Sequence, residues 1–378
     1  MLPDRRYDVV VALNYYSPYV SGVTEAARVT AEGLAERGQR VLVVAGRHDP
    51  SAPRRERRGG VDVLRTPVVA RIGKGIVSPA FVPTVIKHAR RAGLLHLHLP
   101  MLEAGIIATA VRATPIVATY QCDVTLPAGA LNAVQVWALD RSHALALRRA
   151  DAVAVTSEDY ARSSRLWDAM AGRVHPLPAP AIDRSGGVPS FRSGAGQHVG
   201  FLGRIVEEKG LEYLVDGFRA LDDPAARLLI GGDYTHVAGG SVVAKVRARI
   251  GDDPRIRLLG FLAEGELPDF YASLDVFALP SINSLEAFGL VQVEAMMQGV
   301  PVVSSDCPGV RMPVRDTGFG RIVPPRDAAA ITRALTELSH ADLDRVAGAR
   351  AARERYSAPL VIDRHVELFD SLRAGRAR

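Results

Sequence analysis

Apolar residues fall in short runs along this chain, separated by stretches with helical spacing. Residues 7–13, 40–45, 61–64, 94–98, 114–119 and 152–156 read as strands of buried length. Between them, 23–37 has helical spacing and stops at Gly38, a helix-closing glycine, and 102–113 repeats the pattern. Strands that are apolar on both faces and alternate with helices predict a parallel sheet covered on both sides. The rhythm breaks over 176–198, where Pro176, Pro178, Pro180, Gly186, Gly187, Pro189, Gly194 and Gly196 accumulate. Such punctuation predicts a domain linker. The pattern restarts with strands at 199–203, 227–232, 256–259, 276–279 and 300–304, and a helix at 210–221. The expectation is two doubly wound α/β domains, 1–183 and 184–355. A last helix, 356–378, is expected to pack back toward the first domain.

A length of 378 residues fits two domains at about 150 residues each. Hydrophobic residues make up 48% and charged residues 23%, which is globular composition and excludes a disordered chain. No apolar run reaches the ~18 residues of a spanning helix. The N-terminal residues 1–8 carry both charge signs and lead into an apolar run too short for a signal peptide. Cys122 and Cys307 make neither a disulfide framework nor a zinc set, so a reducing, cytoplasmic setting is expected.

Charge is uneven. Residues 1–180 carry 23 basic and 15 acidic side chains, while the remainder is slightly acidic, within a total of +6. Arg54, Arg55, Arg57 and Arg58 cluster in what reads as a polar loop, and Arg148 and Arg149 form a pair. A solvated basic surface is the plainer reading, with an anionic acceptor or peripheral membrane contact as alternatives. Nucleic acid is disfavoured, because no aromatics interleave with the basic residues.

Three segments carry candidate chemistry. Glu286 follows the strand that ends at Leu279, and Gly289 and Leu290 open the next helix, with Glu294 one turn inside it. Two carboxylates suit sugar hydroxyls, and a helix start suits a phosphate. Complementation of the helix dipole by acids is the plainer alternative. Gly203, Arg204, Lys209 and Gly210 follow the first strand of the second half. Two cations beside a helix start fit a diphosphate, unless they only pair with Glu207 or Glu208. In the first half, Tyr15 to Tyr19 lead to Ser21-Gly22-Val23 at another helix start. No G-x-G-x-x-G follows the first strand and no P-loop lysine pattern occurs, which disfavours NAD and ATP.

Together these motifs resemble a retaining glycosyltransferase of glycosyltransferase family four (glycosyl transferases group 1). The resemblance spans nearly the whole chain and includes Gly299-Val300-Pro301-Val302-Val303. It implies the GT-B architecture, two Rossmann-like doubly wound parallel-sheet domains facing across a cleft. It further implies that Glu294 holds the donor ribose, Glu286 the transferred sugar, and Arg204 and Lys209 the departing diphosphate. Gly22 and Gly203 belong to the donor-binding set by the same resemblance, as do the backbone of Phe288, Gly289 and Leu290 and the strand end Gly260-Phe261-Leu262 at the nucleobase. The implied reaction moves a hexose from a UDP- or GDP-linked donor to a hydroxyl of a small-molecule, glycan or lipid acceptor. It needs no metal or other cofactor.

One position departs from the family. Thr119-Tyr120 is followed by Gln121 where a histidine is usual. Glutamine can hold a sugar but cannot titrate. A glycoside phosphorylase, a nucleotide-sugar epimerase and a non-catalytic sugar-nucleotide-binding protein remain alternatives on the same fold. The acceptor is expected against first-domain loops around 15–19, 74–78 and 127–137. Cys122 reads as a small buried residue. His96 and His98 share a strand face and read as packing or cleft-lining groups, with no third metal ligand near them in sequence. Asp342-Leu343-Asp344, the only D-x-D, reads as a solvated face of a C-terminal helical segment.

Overall fold

The computed structural model describes residues 7–19, 21–72, 75–234 and 241–375. Residues 1–6, Lys74 and 376–378, which entered the sequence reading, lie outside the described residues. The chain divides into two compact units, Met1–Pro180 with Ala358–Arg378, and Ala181–Ser357. The crossings therefore fall after Pro180 and Ser357, against the expected 183 and 355.

The first unit is built on a sheet of eight strands. They are β1 (Tyr7–Ala12), β2 (Val41–Arg47), β3 (Arg55–Arg58), β4 (Val61–Pro67), β7 (Ala92–Leu99), β8 (Ile116–Tyr120), β9 (Ala152–Val155) and β10 (Val174–Pro176). A small hairpin, β5 (Ala70–Ile72) with β6 (Gly75–Val77), stands apart. The sheet order is β10-β9-β8-β7-β1-β2-β4-β3, parallel except for β3. β1 is central because Val9, Val10 and Val11 can be buried on both faces at once.

The Arg54–Arg58 cluster is a correction. Its residues from Arg55 to Arg58 form the antiparallel edge strand β3 and not a loop. Gly59 and Gly60 have φ of 52° and 77°, which two-residue hairpin turns require, so the chain folds back and pairs Arg58 with Val61. Charged residues on an edge also block pairing with another chain.

Helix α1 (Gly22–Glu36) starts with a capping box. Thr24 N–H donates to Ser21 Oγ at 3.2 Å, and Ser21 N–H donates to Thr24 Oγ1 at 2.8 Å. The loop before it is pinned by Arg65, whose buried guanidinium donates to Ser17 O at 2.6 Å and Glu56 Oε1 at 2.5 Å. Helices α2 (Phe81–Ala89), α3 (Ala104–Ala110) and α4 (Ala130–Arg149) follow.

The C-terminal helix Ala358–Gly375 belongs to this unit and packs on α1. A methyl group on Gly33 would stand 2.2 Å from Ile362 Cδ1. This helix also brings the third histidine that the sequence did not place. His365 lies 6.1 Å from His96, which lies 4.2 Å from His98, ring centre to ring centre, and all three are buried. They are packing groups, as expected, and not cleft-lining ones. Two further expectations change. Cys122, two residues past the end of β8, is partly exposed and not buried. Asp344 is not on a helix face but caps the helix Arg345–Tyr356, accepting from Ala347 N–H at 2.8 Å.

The second unit has six parallel strands. They are β11 (His198–Leu202), β12 (Arg227–Gly231), β13 (Ile256–Gly260), β14 (Val276–Leu279), β15 (Val302–Ser305) and β16 (Gly320–Val323). Their order is β13-β12-β11-β14-β15-β16. Counted within the unit this is 3-2-1-4-5-6, the doubly wound Rossmann order, and the direction of winding reverses between β11 and β14. The first unit has the corresponding reversal between β1 and β7.

Candidate active site

A ligand on a doubly wound sheet sits outside the carboxyl ends of its strands, at the reversal point. In the second unit those ends are Leu202 on β11 and Leu279 on β14, and the two loops singled out in sequence leave from them. Their proximity is therefore a consequence of strand order. Ile282 N–H donates to Glu208 O at 3.0 Å, which ties the loops together.

Lys209 Nζ donates to Glu286 Oε2, across 77 positions of chain, and both side chains are mostly buried. The pairing of Lys209 with Glu207 or Glu208 that sequence left open is not the one formed. Arg204 does take the local option, 3.6 Å from Glu208 Oε1, and stays more than a third exposed. Gly203 lies directly behind Lys209, whose Nζ would be 3.8 Å from a methyl group there.

Glu286 stands in the loop between β14 and the helix Leu290–Met297. Gly289 caps that helix at φ 80°, and a methyl group there would meet Leu279 Cδ2 at 2.3 Å, so this position is restricted to glycine twice over. Gln292, fully buried, donates from Nε2 to Phe288 O at 2.5 Å and Val310 O at 2.9 Å. It fixes the backbone of Phe288 and Gly289 just ahead of the helix start. The Phe288 ring is buried against Tyr356, so only its backbone is on offer to a ligand. Leu290 is partly exposed, and the first N–H groups of any helix lack partners inside it.

Glu294 is nearly buried. It accepts from the Tyr271 hydroxyl at 2.9 Å and from Arg184 Nη2 at 3.4 Å. Arg184 also donates to Glu264. Burial pushes the Glu294 carboxyl up to about 7, against the pull of Arg184 and Tyr271 toward the ionised form. Burial works the other way on Arg184, but Glu294 and Glu264 outweigh it and raise its pKa. Burial, with Glu294 beside it, keeps the Tyr271 hydroxyl well above its ordinary value. Sequence reasoning missed Arg184, Glu264 and Tyr271. Arg184 stands in the linker segment, and nothing local marks its partner. Of the two residues at the end of β13, Leu262 is buried and Phe261 is 68% exposed.

In the first unit, Gly22 opens α1. Among the described residues nothing lies within 4 Å of a methyl group built on it, so no packing contact there requires glycine. Gln121 leaves the end of β8 on a fixed backbone. The Tyr120 hydroxyl donates to Asp123 Oδ1 at 2.5 Å, and Asp123 N–H donates to Tyr160 Oη at 2.8 Å. No group of three His, Cys, Asp or Glu side chains suited to a metal ion occurs among the described residues. No helix among them is long and apolar enough to cross a membrane.

Comparison with known proteins bears on both units. Residues 196–341 match the family described as "Glycosyl transferases group 1", and residues 21–180 match the "Glycosyl transferase 4-like domain". The chain is 30% identical to a phosphatidyl-myo-inositol mannosyltransferase of Mycobacterium leprae, over 93% of each chain. This chain belongs to the group 1 glycosyltransferases. The glycosyltransferase is also 28% identical to a GDP-mannose-dependent alpha-mannosyltransferase of Mycobacterium tuberculosis, over 97% of each chain. Its fold is that of sucrose-phosphate synthase from Thermosynechococcus elongatus, with a TM-score of 0.79, 21% identity and coverage of 98% and 100% of the two chains. The two parallel-sheet units are thus the two domains of a GT-B glycosyltransferase.

Proposed function

We propose that this glycosyltransferase moves a hexose, with retention of configuration, from a nucleoside diphosphate sugar to an acceptor hydroxyl. The observation that carries the proposal is the ion pair of Lys209 with Glu286 in the loop ahead of the helix start at Leu290, beside the β11/β14 reversal, with Arg204 on the same loop as Lys209. Glu294 accepts hydrogen bonds from the ribose hydroxyls once it is ionised. Both relatives are named as mannosyltransferases and one as GDP-mannose-dependent, which puts GDP-mannose first among donors to be tried, with UDP-linked sugars next.

The bond from the anomeric carbon to the β-phosphate oxygen breaks, and its electron pair leaves on the diphosphate. Arg204, Lys209 and the N–H groups near Leu290 meet that charge as it appears. The acceptor oxygen attacks the same face, and its proton passes to the departing phosphate oxygen. Glu286, already held by Lys209, orients the sugar. Fixed cations and a helix start supply the charge a metal would otherwise supply, so we propose that none is needed; full turnover in the presence of a chelator checks this. Gly203 and the Phe261-Leu262 strand end are proposed for the diphosphate and base. Gly22 and Gln121, in the other unit, are assigned to diphosphate and sugar on the family resemblance alone. Gln121 can hold a hydroxyl but cannot shuttle a proton.

The test is a thermal-shift panel of GDP, UDP, ADP and NAD. A ligand at about 100 times its dissociation constant adds roughly 2.7 kcal/mol to stability. Stabilisation by GDP or UDP, followed by an anomeric assignment of the product, supports the reading. Stabilisation by NAD alone, or an inverted product, overturns it.

A further inference from the structure

Helix α4 is apolar on two opposite faces, and only one of them is covered. His143, Ala144, Ala146 and Leu147 are buried inside the first unit. On the other side Leu131 is 72% exposed, Val134 61% and Trp137 68%. The spacing continues to Arg141, Leu145 and Arg148, all exposed. At 100° per residue these six positions fall within an arc of about 120°. The only acid on α4, Asp140, is taken up by Arg165 at 2.6 Å.

The stripe does not end with the helix. Gly105 N–H donates to Ser142 Oγ at 2.9 Å, and Ser142 Oγ donates to Leu102 O at 2.5 Å. Met101 N–H donates to His143 Nε2 at 3.0 Å. These bonds fix α3 against α4 as one surface. There Ile106 is 65% exposed and Leu102 54%. A shallow groove joins Ile106 to Leu145, with Arg90 and Arg112 on its walls. Aliphatic side chains and an exposed tryptophan thus alternate mainly with arginines; Thr109 also lines the groove, and Glu103, at the start of α3, accepts from Asn14 Nδ2 at 3.3 Å.

An exposed apolar patch flanked by charge of one sign marks a partner. We propose that the α3–α4 face docks on an anionic lipid bilayer, with Leu131, Val134, Trp137 and Ile106 entering the headgroup boundary and Arg90, Arg112, Arg141 and Arg148 meeting lipid phosphates. The charge selects this occupant. An acidic bilayer offers apolar depth and negative charge over the whole patch at once, and tryptophan favours the lipid–water boundary. The β3 arginines, which first drew attention to a basic surface, lie on a strand edge with no exposed apolar partners on that strand and are not part of this face. The inference stands independently of the transfer reaction.

The test uses the full chain and two vesicle types, phosphatidylcholine alone and phosphatidylcholine with one third phosphatidylglycerol. Co-sedimentation with the mixed vesicles is expected, together with a blue shift of tryptophan emission. The chain has two tryptophans, so Trp137→Ser should abolish the shift while Trp167 still reports an intact fold. Each arginine near an anionic surface is worth about fivefold in binding, so Arg141→Gln with Arg148→Gln should weaken it at least about tenfold at low salt. Equal binding to both vesicles with no effect of the arginine pair would overturn the anionic part. Failure to bind either vesicle would overturn the whole, as would a dimer in solution that Trp137→Ser dissociates without any vesicle binding.

Discussion

Arg184 Nη2 lies 3.4 Å from Glu294 Oε1, joining a linker residue to a helix residue 110 positions later. Burial, opposed by this pair, sets when Glu294 carries charge. Burial pushes its carboxyl up to about 7, and the ionised form is the stronger acceptor for the two ribose hydroxyls. Affinity for GDP or UDP should therefore rise with pH through about 7. Arg184→Gln removes the nearest cation and should move that midpoint up by at least about one pH unit. Titration calorimetry between pH 6 and 9 checks this, with pyrophosphate as the control for titration of the phosphates. A midpoint that stays put in the variant would show that Arg184 does not control the carboxyl.

The same residue makes a prediction for stability. The folded state holds the Glu294 proton more tightly than the unfolded chain, whose value is 4.5. Between 4.5 and about 7 this group therefore lowers stability as pH rises. Above that window the cost of burying the charge is complete, on the order of 3 kcal/mol. Glu294→Gln should melt above the parent at pH 8 and level with it near pH 4.5, while binding nucleoside diphosphates more weakly. Melting curves over pH would refute this if the difference between the two proteins were constant.

Lys209 and Glu286 make a coupled pair, so each substitution should be read with the other. Lys209→Ala removes a cation from the diphosphate and also leaves the Glu286 carboxylate without its partner. A charged hydrogen bond is worth about 2 kcal/mol, so affinity for GDP or UDP should fall roughly thirtyfold. Adding Glu286→Gln removes the unpaired charge and should restore part of the loss, which a double-mutant cycle measures. Pyrophosphate should suffer as much as the nucleotides from Lys209→Ala, and far less than them from Glu294→Gln.

The sheets were legible because strands buried on both faces leave unbroken apolar runs, as 9–11 and 276–279 do. Glu286, Arg204 and Lys209 could be singled out because they lie in the loops that leave those runs, which is where a doubly wound sheet receives its ligand, and Glu294 because it lies one turn into the helix that follows; the roles proposed for all four come from the family resemblance. The contacts among them were not legible. Lys209 meets Glu286, and Gln292 reaches the Val310 carbonyl, only because strand order brings distant segments together. Arg184 was hidden for the same reason, in a segment read as a linker. The Arg54–Arg58 strand was missed because its residues resemble a loop, although the following Gly59-Gly60 is itself a hairpin signal.

The buried histidines predict the opposite slope to Glu294. Both ring nitrogens of His98 lack a partner among the described residues. Burial, aided by His365, lowers its pKa to about 3. Burial, with His98 and His365 beside it, lowers His96 too, and burial lowers His365 on the C-terminal helix. The unfolded chain takes up these protons near 6.5 and the folded one does not, so stability falls as pH drops below that value. For His98 alone the loss at pH 5 is about 2 kcal/mol. His98→Leu removes one titrating group and two unpaired nitrogens while keeping a side chain of similar size. Its acid limb should be shallower than the parent's, with melting temperatures that differ more at pH 5 than at pH 8. If the two limbs run parallel, the histidine cluster is not what makes this unit sensitive to acid.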